Sequence, residues 1–157
     1  MLSPVLQNSL AATDFAQRYY QLCAEHPNRS ADRCACAHSE VVACLADLGQ
    51  IEKQRGPGRS YALRAQGLPD CIEFGFSIQG GGYYVEPYLG FTEGSLRSGS
   101  NYAVLAHAAV SSVGGHPPVP PYPRPYFYSV AELREAIAGC LELALRVGKE
   151  AREGQNG

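Results

Sequence analysis

The sequence predicts an α+β fold: an antiparallel sheet centred on a β-hairpin at residues 71–91, packed by N-terminal helices and a long C-terminal helix. Three observations carry this prediction. In CIEFGFSIQGGGYYVEPYLGF, Ile72, Phe74, Phe76 and Ile78 alternate with polar or small residues, and Val85, Pro87, Leu89 and Phe91 do so after a triple glycine. A period of two across a turn-permissive break marks two half-buried strands. Both ends of the chain instead space their apolar residues three and four apart, as one buried helix face requires. Strands and helices are thus segregated along the chain, which is the α+β pattern.

Ser3-Pro4 predicts an N-cap followed by Pro at the first helical position. Val5, Ala12, Phe15, Ala16, Tyr19, Leu22 and Cys23 then continue one helical stripe, ending before Pro27 because the residue preceding proline is pushed out of the α region. Ser30 or Asp32 is placed to cap a second helix with Cys34, Ala37, Val41, Leu45 and Leu48 on one side and Gly49 just past its end. Residues 51–54 are ambiguous, RGPGRS (55–60) is a loop or hairpin tip, and Tyr61–Arg64 is a short strand. Pro87 cannot donate to a ladder, so it belongs at an edge, a bulge or near a strand end. The polar stretch 92–100 reads as a loop. Ser100 is placed to cap a helix over 101–112, favoured over a strand and ended by Gly114-Gly115. Six prolines fall within residues 117–126, which makes that segment an extended arm, pinned to the domain by its tyrosines. Ser129 and Glu132 form a capping box for a final helix reaching about Ala151, with 153–157 as a frayed tail. A chain of 157 residues suits one domain over 1–157.

Composition narrows the function classes. A formal charge of −2 gives no general attraction to phosphate backbones and argues against nucleic-acid binding. No apolar run is long enough to span a membrane, and the first residues lack the basic and apolar regions of a signal peptide. The six cysteines then read as reduced thiols in a cytoplasm. Charge is unevenly spread: between Arg64 and Arg97 there are Asp70, Glu73, Glu86 and Glu93 but no Lys or Arg, so this stretch carries −4 and the rest of the chain +2. An acidic sheet region attracts a cationic partner, while solvated strand carboxylates are the plainer explanation.

Cys34, Cys36 and His38 are the weak metal candidates. Zinc sites use C-x₂₋₄-C knuckles on loops with a second ligand pair, whereas C-x-C within a helix sends its two side chains about 200° apart. No metal or other cofactor is therefore assigned. A Cys71 nucleophile served by His107 or His116 lacks any local feature that would ionise the thiol. The glycine turn leads from strand to strand, not from strand to helix as phosphate-binding loops do. The candidate site is a protein-binding one: Glu73, Tyr84, Glu86, Tyr88 and Glu93 from the hairpin, with Tyr122, Arg124 and Tyr126 from the arm. Tyrosines flanking a carboxylate suit an interface. A covering layer of helices would instead make them core.

The second half of the chain, GGGYYVEPYLG, GSNYAVLAHAAV, a GG break and PPYPRPYFYSVAELREAI, resembles the small immunity proteins encoded beside bacterial polymorphic and secreted toxins. The resemblance covers about residues 71–145 and is one of layout. It implies a non-enzymatic cytoplasmic protein that neutralises a cognate toxin by occluding its active site. The toxin would be a basic nuclease, deaminase or nucleotide-modifying enzyme. The alternatives are a secretion or adaptor chaperone, and a thiol- or metal-dependent enzyme.

Overall fold

In the computed structural model, which describes residues 2–29, 32–55, 58–80 and 83–156, five antiparallel strands lie side by side in chain order. They are β1 (Gln50–Lys53), β2 (Arg59–Arg64), β3 (Ile72–Gln79), β4 (Tyr84–Glu93) and β5 (Leu96–Asn101). The expected hairpin is β3 and β4, paired from Ile72↔Phe91 to Gln79↔Tyr84, and the fold is α+β. Its turn includes Gly81 and Gly82, which lie outside the described residues, as do Gly56, Pro57 and the proposed cap Ser30. Cross-strand partners point to the same side, so the register puts Tyr61, Leu63, Phe74, Phe76, Val85, Leu89 and Phe91 on one face. All of them are buried, and each contributes on the order of 1.5–3 kcal/mol by leaving water.

The helices pack on that face. They are α1 (Pro4–Ala12), α2 (Phe15–Glu25), α3 (His38–Leu45), α4 (Tyr102–Ser112) and α5 (Val130–Asn156). The 27-residue α5 lies against β3 and β4 and is flanked by α1, α2 and α3, while α4 covers β4 and β5. Tyr102 joins these layers: its hydroxyl donates to the Cys140 carbonyl at 2.7 Å and its ring meets Phe15 edge-on.

Several elements depart from the sequence expectation. The first helix is two, broken at Thr13-Asp14. The Thr13 hydroxyl donates to the Ser9 carbonyl at 2.8 Å and Asp14 adopts a left-handed φ of 51°, which Asp tolerates better than most residues. The break lets α1 pack on α5 while α2 turns to α4. The second helix begins only at His38, because the Cys36 carbonyl accepts from Arg59 Nη1 at 2.7 Å instead of from a helical N–H. Residues 50–53 are a strand, and 96–100, expected to be loop, form β5 together with Asn101, expected to open the helix. Gly94, at φ 60°, makes the two-residue turn that returns the chain from Glu93 to Leu96. The cap of α4 is Asn101, not Ser100; its Oδ1 accepts from the Val104 amide. Helix α5 does not fray at Ala151 but continues to Asn156.

The arm is pinned, as expected, and its hydrogen bonds show how. The second edge of β4 is shared: β5 pairs with residues 88–93, and the arm takes the rest. Val85 donates to the Pro125 carbonyl, Phe127 donates to Tyr83, and Tyr126 donates to His26. Pro87 pairs with Phe76 of β3 and faces the seam between β5 and the arm, where no donor is needed.

Candidate functional site

The other face of the sheet carries no helix among the described residues. Glu52, Ala62, Gly75, Tyr88 and Asn101 form one row across all five strands. Ser60, Ser77 and Glu86 form the next, and Glu73, Gly90 and Gly99 lie on the opposite side. Small residues make up the floor, and the twist of the sheet leaves an open depression of about 1140 Å³ over it. The floor is this low because two of its positions exclude a side chain. A Cβ at Gly75 would sit 2.8 Å from the Tyr61 carbonyl oxygen, and one at Gly99 would sit 2.2 Å from that of Leu89.

Tyr88 stands at the rim, 38% exposed, with its ring lying over Gly90 and shielding the backbone that glycine bares. Glu73 is paired with Arg97 of β5. Glu86 is well enclosed, its side chain 17% exposed. One of its oxygens accepts from Arg124 Nε, while Oε1 is buried with no donor among the described residues. Arg124 also lies 5.6 Å over the Tyr84 ring, and Tyr84 packs on Tyr126 at 5.5 Å.

Of the predicted residues, the structure therefore gathers Glu73, Tyr84, Glu86 and Tyr88 on the open face and adds Arg124 and Tyr126 at one end. Glu93 and Tyr122 fall outside this group. Glu93 has the parity of Phe91 and points to the helical side, and Tyr122 stacks on His107 of α4 at 4.8 Å. The expectation of a strongly acidic surface needs correcting as well: Arg97 and Arg124 reach in from beyond the basic-free stretch and neutralise two of its four acids. The floor residues Ser60, Ala62, Gly75 and Ser77 were not singled out from sequence. Their signal is that the central outward positions of two adjoining strands, 60 and 62 in β2 and 75 and 77 in β3, are all small.

The thiols and histidines are arranged otherwise. Residues 32–37 are not helical, so the Cys34 and Cys36 side chains do not diverge as a helix would require; their sulfurs lie 2.8 Å apart. His38 turns away to Tyr61, with Nδ1 3.2 Å from the hydroxyl and the rings stacked. Among the described residues, no three His, Cys, Asp or Glu side chains converge as metal ligands. Burial pushes the Cys23 and Cys36 thiols up to about 12 and raises those of Cys44, Cys71 and Cys140. A nucleophilic thiolate needs the opposite shift.

No family model, curated protein or solved structure matches the chain. No helix among the described residues is long and apolar enough to cross a membrane. Fold and site together define a two-layer α+β protein with one sheet face left open.

Proposed function

We propose that this protein works by binding another protein on its open sheet face. In this reading it is an immunity-type inhibitor that neutralises a cognate bacterial toxin in the cytoplasm by covering the toxin's active site. The observation that supports this best is the bare face itself: a small-residue floor at the middle of the sheet, rimmed by a half-exposed tyrosine and paired charges. A protruding segment of a partner fits there, with Tyr88 as an aromatic anchor. The Glu73 carboxylate, more than half exposed beside Arg97, gives a cationic or N–H group of that segment an acceptor. The toxin classes named from the resemblance (nucleases, deaminases and nucleotide-modifying enzymes) tend to carry basic active-site surfaces, which suits such an acceptor.

The test uses the product of the neighbouring gene as partner and Ala62→Arg as the perturbation. Ala62 sits on the floor between Glu52 and Gly75, and its outward side chain leaves the core untouched. The variant is expected to melt like the wild type yet lose affinity at least about tenfold, or roughly 1.4 kcal/mol, and to stop inhibiting the partner's activity. Failure of the wild-type protein to form a complex with that product, or undiminished binding by Ala62→Arg, would overturn the proposal. A partner that is bound but fully active would point to the chaperone reading instead.

A further inference from the structure

A second site lies away from the open face, in the segment that leads into α3. Cys34 and Cys36 are separated by a single residue on non-helical backbone. Their sulfurs lie 2.8 Å apart, between the covalent S–S length of about 2.05 Å and the separation of about 3.5–4.0 Å usual for unbonded heavy atoms. The segment is held in this shape from outside. Arg59 of β2 donates to the Cys36 carbonyl, and Glu40 Oε1 accepts from the Ala37 amide at 3.0 Å. The two thiols differ in access: Cys36 is 4% exposed, whereas Cys34 is only half-buried.

We propose that Cys34 and Cys36 are a dithiol–disulfide couple that exchanges with low-molecular-weight disulfides. The accessible Cys34 sulfur, as thiolate, attacks one sulfur of the small disulfide, forming a mixed disulfide and expelling the other half as a thiolate. The Cys36 sulfur, already in contact, attacks Cys34 on losing its proton and expels the second half; its burial opposes ionisation, so this step rests on proximity and not on a resting thiolate. Two cysteines are oxidised, the small disulfide is reduced to two thiols, and the two cysteine protons end on those products. Cys36 suits the second, intramolecular step. Its burial keeps it from meeting a bulk reagent, while contact with Cys34 replaces diffusion by proximity.

The test takes the reduced full-length chain through a series of oxidised-to-reduced glutathione ratios, quenches with acid and reads intact mass and peptide maps. The wild type is expected to lose two hydrogens, with the bond mapping between Cys34 and Cys36. Cys36→Ser is expected to stop at a stable glutathione adduct on Cys34, and Cys34→Ser to form neither product. Because closure depends on the folded segment, the equilibrium constant for the bond should fall at least about tenfold in denaturing urea, a shift of about 30 mV. A wild-type protein that keeps the glutathione adduct, that joins Cys36 to Cys44 instead, or that forms the bond equally well in urea would overturn the proposal.

Discussion

Three glycines along α5 give a graded test of how that helix is packed. In a helix interior Gly→Ala is worth up to about 1 kcal/mol in favour of alanine from backbone propensity alone. At Gly154 a new Cβ would find only Val5 Cγ1, at 3.5 Å, an ordinary contact. Gly154→Ala should therefore keep about half of the propensity gain, since helix ends fray and propensity counts for less there than in the interior. At Gly139 the Cβ would meet Leu22 Cδ1 at 2.6 Å. That methyl ends a flexible side chain bordering an open cleft between α2 and α5, so a rotamer change costing roughly 0.5–1.5 kcal/mol relieves it and the substitution is near neutral. At Gly148 the Cβ would meet Pro69 Cδ at 2.7 Å and Cγ at 3.0 Å, with Ile72 Cγ1 at 3.4 Å behind. A proline ring has no rotamer to take, and overpacking at such a site costs about 1–3 kcal/mol, leaving a net loss of about 1 kcal/mol. Equilibrium urea unfolding reads these as midpoint shifts at constant slope. The reasoning fails if Gly148→Ala is as stabilising as Gly154→Ala, because Pro69 would then not be wedged against α5.

Two further outcomes follow from the buried thiols and from the arm. Cys23 and Cys36 have thiol pKa values raised by burial from an ordinary 9.0 to about 12, so between those values the unfolded chain has lost protons that the folded chain retains. Their contribution is full below about pH 9 and is lost as pH rises toward about 12. Urea midpoints measured across that window should fall, and less steeply for Cys23→Ala than for wild type; parallel curves would contradict the burial. Glu86→Lys sets a cation beside Arg124 and releases the clamp on the arm. Hydrogen exchange at the Val85, Tyr126 and Phe127 amides should rise by at least about tenfold while the β3 amides keep their protection, and unchanged exchange would show that the pair does not hold the arm.

Much of the fold was readable because alternation is a local signal. The Ile72–Phe91 hairpin follows from period two, the arm from its prolines, and the start of α5 from its capping box, whose Ser129 Oγ accepts from the Glu132 amide at 3.1 Å. The misses share a cause: the deciding contact lies on another element and leaves no mark in the segment's own apolar pattern. Strand β5 has no apolar alternation in LRSGSN and exists because β4 offers it backbone partners. Residues 32–37 avoid the helix their apolar spacing favours because Arg59 claims the Cys36 carbonyl. The break at Asp14 reflects two different packing partners for α1 and α2. The site was legible by halves. Parity alone put Glu73, Tyr84, Glu86 and Tyr88 on one face, but whether helices covered that face depended on which way α4 and α5 folded over. The acidic character expected of the region was misjudged because Arg97 and Arg124 approach only in three dimensions.

The chain-order sheet has a consequence for how the protein comes into being. Every strand bonds to its neighbour in sequence, so the meander closes only short loops and zips up as it is synthesised. The amino-terminal helices have no such early mate: α1 needs α5 and α2 needs α4, segments made only after the whole sheet. Until the carboxyl-terminal third leaves the ribosome, Leu6, Leu10, Phe15 and Tyr19 have little to lie against. The nascent chain is at its stickiest just before α5 emerges, and truncations that remove α5 should aggregate instead of yielding a smaller folded unit.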